Sequence, residues 1–442
     1  MRPIGVDLFA GAGGLSLGFE QAGFDIVAAV EVDPIHAAVH KYNFPNCATI
    51  AQSVTDISGA DIRERTGIGS AKVDVVFGGA PCQGFSLMGQ RALDDPRNAL
   101  VKEFVRIVAE LDASFFVFEN VKGLTVGRHR QFLDELIGEF ERNGYELRLP
   151  WQVLNAVHFG VPQSRERLIL LGAKQGLPLP KYPYAQTRRA GVKHDSVLPV
   201  GPTCGDALGD LPDVELFTEL IGNDAVEIGK WAKLSDYGRK MRCLDNDSWH
   251  FGHPRSWDPK IMTASMRTDH SSISRRRFEK TAEGAVEPIS RFFKLPSDGV
   301  SNTLRAGTDA ARGAFTSPRP IHYRFARCIT VREMARLHGF PDWFRFHETK
   351  WHGARQIGNA VPPALACAVG EQIMHALGTY PTRPESEMEL GDPSLLSMSM
   401  KEAADFFGIQ SPIGKRDRKS GTRKRKQHEV EEALEMVRIS NG

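Results

Sequence analysis

Short apolar runs recur between residue 4 and about residue 173, with amphipathic stretches between them: IGVDLFA, FDIVAAVEV, VDVVFGGAP, SFFVFENV and ERLILLGA. Runs of this length alternating with helical patterns predict a parallel sheet with crossover helices. VDVVFGG, apolar without alternation, reads as a strand covered on both faces. From about 174 the periodicity breaks into Pro, Gly, Arg and His with short irregular pieces such as LPLPKYPY, RSWDPK and SISRRRF, which predicts a second, less regular unit. Regular signals then return. Thr330 and Glu333 have capping-box spacing ahead of VREMARLH, with Gly339 and Pro341 to stop that helix. Pro362 and Pro363 open a further helix, ALACAVGEQIMHAL, that runs to Gly378. The expected organisation is a Rossmann-like, doubly wound, mostly parallel α/β domain at 1–173, an inserted irregular domain at 174–320, the first domain resumed at 321–380, and a polar, basic tail at 381–442, for which disorder is one reading.

Composition narrows the class. Of 442 residues 41% are hydrophobic, yet no run approaches the eighteen or so apolar residues of a membrane span. The opening MRPIGVDLFAGAGG enters a strand pattern at once, without the charged, apolar and small-residue regions of a secretion signal, so a soluble chain in the cytoplasm is expected, nucleoid-associated if the source is prokaryotic. The net charge of +2 does not announce a nucleic-acid binder, which leaves local clusters to do so. Arg255, Arg267, Arg291, Arg305 and SRRRF at 274–278 form one such cluster, readable as phosphate contacts or as a solvated basic face; GKRDRKSGTRKRK near the end is a DNA-tracking arm or a solubilising tail. SMKEAADFFGI, just before it, has the pattern of the first helix of a helix-turn-helix. Six scattered cysteines show no Cys-x-x-Cys, and Cys243 with His250, His253 and His270 matches no common zinc finger, so no metal is expected.

Chemistry-bearing residues cluster at the predicted strand ends. The first strand runs into GAGGLSLGFEQAGF, a glycine-rich turn and helix that let a ligand approach the backbone, and Glu31 closes the next strand as an acceptor for ribose hydroxyls. The spacing Gly11, Gly13, Gly14 lacks the third glycine of a dinucleotide turn, which disfavours a nicotinamide dehydrogenase; a turn serving only sheet geometry is the plain alternative. In GGAPCQGFS, Cys82 leaves the end of a buried strand in a glycine-flanked loop, where a thiol is accessible; a core cysteine is the alternative. GFSLMGQRALDDPRN after it could close over a substrate, with Gly84 and Gly89 as hinges and Arg91 and Arg97 on phosphate. Glu119 in FFVFENV is a proton donor if burial raises its pKa, and otherwise a surface charge. Gln163, Arg165 and Arg167 alternate at the start of a strand, so the two arginines face one side, or merely pair with Glu166 in solvent.

In this order and spacing, DLFAGAGG, Glu31-Val32-Asp33, PCQGFS, ENV, QSRER, the TVRE-MARL-GFP segment and GNAVPP closely resemble the motif series of the DNA (cytosine-5) methyltransferases, over roughly 4–173 and 320–378. The resemblance implies a class I methyltransferase fold with a target-recognition domain in the irregular segment. It implies S-adenosyl-L-methionine as cofactor, surrounded by Phe9, Gly11, Gly13, Leu15, Glu31, Asp56, Pro81, Leu100, Asn359 and Ala360, with the last helix folded back beside the first. It implies Cys82 as nucleophile, Glu119 as its partner at the base, and Arg165 with Arg167 on the cytosine oxygen and nearby backbone. Double-stranded DNA is then the expected partner of a monomeric enzyme, with a cognate restriction endonuclease as a further one. An RNA-directed member of the family is the nearest alternative, disfavoured by a middle segment of about 150 residues, where a tRNA-type relative is expected to be shorter. A catalytically silent DNA-binding protein is disfavoured by the presence of Cys82, Glu119 and Arg165 together.

Overall fold

A computed structural model describes residues 2–81, 98–125, 129–191, 197–307 and 319–411. Its first part alternates as the hydrophobic pattern requires: β1 (Ile4–Leu8), α1 (Gly14–Ala22), β2 (Asp25–Val30), α2 (Pro34–Asn43), β3 (Ala48–Ile50), α3 (Gly59–Thr66), β4 (Val75–Gly78), α4 (Ala99–Glu110), β5 (Phe115–Val121), α5 (His129–Arg142), β6 (Tyr145–Leu147), β7 (Gln152–Asn155) and β8 (Glu166–Lys174). The sheet order is β3-β2-β1-β4-β5-β8-β6, with β7 also on β8. The sequence order reverses at β1, and β1 to β5 pair in parallel, as in a doubly wound sheet. β8 is the antiparallel strand of this mostly parallel sheet. It runs antiparallel to β5, pairing Val121 with Arg167, because β7 and β8 are joined by a short connection that needs no crossover. Antiparallel entry brings the start of β8 to the same sheet edge as the carboxyl ends of β1, β4 and β5.

The middle segment is irregular, with α6 (Cys204–Leu208), a small antiparallel pair of β9 (Val226–Glu227) and β10 (Ile261–Met262), α7 (Asp236–Met241) and α8 (Ser272–Lys280). The chain then forms α9 (Val331–His338), α10 (Lys350–Asn359), α11 (Pro363–Leu377) and α12 (Met400–Phe406). The Thr330–Glu333 capping box is present, and Gly339 ends α9 at φ 88°. One hydrophobic core runs through these parts: Leu208, Leu211, Met262 and Leu295 of the middle segment pack with Met334 and Leu337 of α9 and with Leu17 and Phe19 of α1. Buried ion pairs stitch the same boundary, Arg336 to Asp210 and Asp342, and Arg327 to Asp213 and Glu333.

α11 lies against α1 without room for side chains at the crossing. A Cβ at Gly18 would stand 2.3 Å from Ala366 Cβ and 2.5 Å from Pro363 O, and one at Gly370 would stand 2.8 Å from Ala22 Cβ. Beyond α11 the described chain is folded as far as 411. Leu395 and Leu396, with Leu390, Met398 and Phe407, pack on Ala38, Val39 and Tyr42 of α2 and on Ala12 of the glycine turn. The residues placed in a polar tail from 381 thus hold two packed turns over their described part; few apolar residues suffice because each meets α2. The basic run beyond 411 lies outside the described residues. No helix among the described residues is long and apolar enough to cross a membrane.

Candidate active site

The glycine turn departs from β1 under constraint. Phe9 holds φ 65°, a left-handed value that a bulky residue adopts only where its surroundings require it, and Gly11 and Gly13 follow at 56° and 103°. Glu31, buried just past β2, anchors this path: its Oε2 accepts from Gly11 N–H at 2.8 Å and its Oε1 from Asp33 N–H at 2.9 Å. Burial pushes its carboxyl above the ordinary glutamate range, opposed by His36 and the two N–H groups. Beneath the turn, Ser16 Oγ lies 2.6 Å from Asp7 Oδ2 and 3.0 Å from His40 Nε2, all three inaccessible, and burial pushes Asp7 up to about 8.

The C-terminal motif reaches the same turn. A Cβ at Gly14 would lie 2.5 Å from Val361 O and 3.0 Å from Ala360 Cβ, so the loop after Asn359 abuts the start of α1. Leu15 is buried beside them, and Leu100 and Phe9 pack on the core of the β4 side. Asp56 stands apart, exposed on a turn after β3, where its side chain accepts from Thr55 Oγ1 at 2.8 Å. Pro81 is exposed and is the last residue described before the loop, so Cys82, Gly84, Gly89, Arg91 and Arg97 lie outside the described residues.

What leads to Cys82 is described. Gly79 lies under Glu119, whose Oε2 would be 2.4 Å from a Cβ there, and Asn120 Nδ2 donates to Ala80 O at 2.9 Å. The two residues of ENV therefore clamp the GGAPC strand end, Glu119 by contact and Asn120 by a hydrogen bond. Neither function was evident from sequence, although the paired glycines before APC are a signal of close backbone approach. Across the edge, Arg167 Nε meets Glu119 Oε1 at 2.6 Å. Burial raises the Glu119 carboxyl above its ordinary range despite Arg167 and Arg165, which pull it down. With Oε1 taken by Arg167, Oε2 is the oxygen that lies against Gly79.

Arg165 stands behind this pair. It is 1% exposed, and its terminal nitrogens donate to Leu304 O at 3.0 Å and Gly358 O at 2.9 Å. Burial holds its pKa well below the usual arginine value, with Arg167 adding to the effect. One cationic residue assigned to phosphate is corrected. Arg255 is buried and forms a two-pronged pair with Glu20 at 3.0 and 2.8 Å, a partner too distant in sequence to foresee. Arg275 likewise pairs with Glu215, whereas Arg276, Arg291 and Arg305 are exposed. His253 faces Asp25 and His270 Nε2 accepts from Cys328 N–H, so these two histidines serve separate contacts.

The chain as a whole matches a known family. The family model described as C-5 cytosine-specific DNA methylase matches residues 5–375. The chain is 57% identical over 412 residues to the Type II methyltransferase M.XorII of Xanthomonas oryzae pv. oryzae, covering 93% of this chain and 94% of that one. It is 33% identical to the Type II methyltransferase M1.HphI of Haemophilus parahaemolyticus, over 84% of this chain and 86% of the relative. A solved structure described as a DNA modification methyltransferase encoded within an E. coli prophage superposes with a TM-score of 0.67 at 31% identity, over 85% of this chain and 99% of that one. The chain belongs to the C-5 cytosine-specific DNA methylases and is a DNA cytosine-5 methyltransferase with the class I methyltransferase fold.

Proposed function

We propose that the chain methylates C5 of a cytosine flipped out of double-stranded DNA, with Cys82 as nucleophile and S-adenosylmethionine as methyl donor. The observation that carries this reading is the junction of Gly79, Glu119 and Arg167, which sets an acid of raised pKa over the strand end leading to Cys82. The residues fit the cofactor. A Cβ at Gly11 would point into open space at the turn, and each Glu31 oxygen takes one backbone N–H, leaving lone pairs for ribose hydroxyls. When bound, S-adenosylmethionine supplies an electrophilic methyl on a sulfonium sulfur.

Cytosine C5 is not nucleophilic by itself. The Cys82 thiolate adds to C6, and Glu119 gives or shares its proton with N3, so that negative charge does not accumulate on the ring. Arg167 holds the carboxyl in place, and Arg165 orders the backbone behind it. C5, now nucleophilic, takes the methyl. A base then removes the C5 proton, the C6–sulfur bond breaks to restore the thiolate, and N3 returns its proton to Glu119 as 5-methylcytosine is released. C6 is covered by stacking in a duplex, which is why the nucleotide must leave the helix.

Transfer of tritium from labelled S-adenosylmethionine to DNA but not to RNA, with bisulfite sequencing of the DNA, tests the substrate; label entering RNA alone would replace the reading with the RNA-directed one. The Type II designation of the relatives supports a place beside a restriction endonuclease of the same site. Residues 174–320 are proposed as the target-recognition domain. Exchanging them for those of a relative is expected to transfer the methylated sequence, and a folded, active chimera that keeps the original site would place specificity elsewhere.

Glu31→Ala is expected to weaken cofactor binding by tenfold or more, since a charge-assisted hydrogen bond contributes about 1.5–3 kcal/mol. Nonspecific DNA binding should stay within twofold, because no basic surface changes. Equal losses in both titrations on folded protein would reject the assignment.

A further inference from the structure

A buried row of polar groups lies beneath the Asn359–Ala360 loop, and two of its members, Gln163 and His338, take no part in the chemistry above. Gln163, Arg165 and His338 are all inaccessible. Gln163 Oε1 accepts from Leu304 N–H at 3.0 Å, which fixes the orientation of its amide, because an N–H needs an oxygen there. Gln163 Nε2 must then donate, and it lies 3.0 Å from His338 Nδ1. On the other side of the ring, His338 Nε2 is 3.0 Å from Ala360 O, an atom that only accepts. Both contacts are satisfied by a single species, the neutral imidazole with its hydrogen on Nε2. A second proton on Nδ1 would face the amide NH2.

The row ends on atoms that matter to the cofactor turn. Ala360 Cβ and Val361 O are the groups against which Gly14 has no room for a side chain. Arg165 holds Gly358 O, two residues earlier, and Gly358 itself would bring a Cβ within 2.3 Å of Ala306 N. The loop is therefore pressed between α1 and residues 304–306, and its carbonyl at 360 is held by His338.

We propose that His338 is a positioning residue for the cofactor pocket: as the neutral Nε2–H tautomer it ties the Ala360 carbonyl to Gln163 and so sets the Asn359–Ala360 loop against the glycine turn. This rests on the reading that Asn359 and Ala360 line the pocket. His338 touches neither cofactor nor base. Burial, and next the Arg165 cation, hold its imidazole well below the ordinary histidine pKa, in keeping with that tautomer.

The test uses the full chain and compares His338→Leu with His338→Gln, which retains a donor for Ala360 O. S-adenosylhomocysteine is the binding probe. His338→Leu should raise its Kd and the KM for S-adenosylmethionine about tenfold, with kcat at saturating cofactor within twofold of wild type. His338→Gln should recover most of the affinity. A long-range nitrogen–proton correlation on histidine-labelled wild type should show neutral Nε2–H between pH 6 and 8. An unchanged KM in the Leu variant, a loss confined to kcat, or a Gln variant as weak as Leu would overturn the proposal. So would an Nδ1–H or cationic ring in wild type, which decides the matter even if the Leu variant does not fold. Asn359→Trp is the control for the pocket. If it binds the probe normally, the pocket assignment fails, whatever His338 does.

Discussion

A duplex with 5-fluorocytosine at the target position should be methylated once and then stay covalently bound to Cys82, as a shifted band that survives denaturant. The expectation follows from the elimination step, in which a proton must leave C5 before the sulfur can leave C6. Fluorine cannot depart as a cation, so the methylated adduct has no exit. Trapping should require S-adenosylmethionine, because before methyl transfer the addition can reverse. Cys82→Ser should abolish the band and lower methyl transfer by several orders of magnitude, since a serine alkoxide is not available near neutral pH. Peptide mapping decides between cysteines. Burial pushes the thiols of Cys47, Cys204, Cys243, Cys328 and Cys367 above their ordinary value, which makes each a poor nucleophile. An adduct on any of these, or full activity without an adduct, would show that the nucleophile is not Cys82.

The second large effect is expected at Glu119. Glu119→Gln keeps the shape of the side chain and a partner for Arg167 Nε, but it has no proton to transfer to N3. Positioned acid catalysis contributes about 10²–10⁴-fold, and kcat should fall within that range. The pH profile gives an independent check. A group that acts protonated, with its pKa raised by burial, is fully active below that value and loses activity as pH rises through it. Wild type should therefore show an alkaline limb in kcat/KM that disappears in the Gln variant, while an acid limb set by the thiol remains. A Gln variant with the same alkaline limb would assign that limb to another group.

The long strands were readable because each is an apolar run bounded by glycine or a charge, and the caps of α9 because Thr330, Glu333 and Gly339 satisfy helix ends locally. β3, β6 and β7 were not, since three or four residues at a sheet margin leave too little periodicity to detect. α10 escaped for another reason. KWHGARQIGN contains two glycines that weaken a helix, and both are demanded by neighbours, Gly353 by Val331 and Gly358 by Ala306. Among site residues, the motifs named Glu119, Arg165 and Arg167 but not their division of labour. The Arg167–Glu119 pair depends on β8 running against β5, and the burial of Arg165 on carbonyls from residues 304 and 358, both properties of the assembled chain. Arg255 shows the same limit from the other side, since a cation in sequence looks like a surface charge until its carboxylate is located.

The contact of α1 with α11 also sets an order of events during synthesis. α1 ends at Ala22, but the helix that fills its glycine face lies at Pro363–Leu377, about 340 residues later in synthesis. At translation rates of roughly 5–20 residues per second, that face waits about 20–70 seconds for its partner. So distant a pairing adds to the high contact order that slows folding in sheet proteins. The glycine turn that enters α1 is made long before the helix that packs beside it and is among the last segments to reach its final shape.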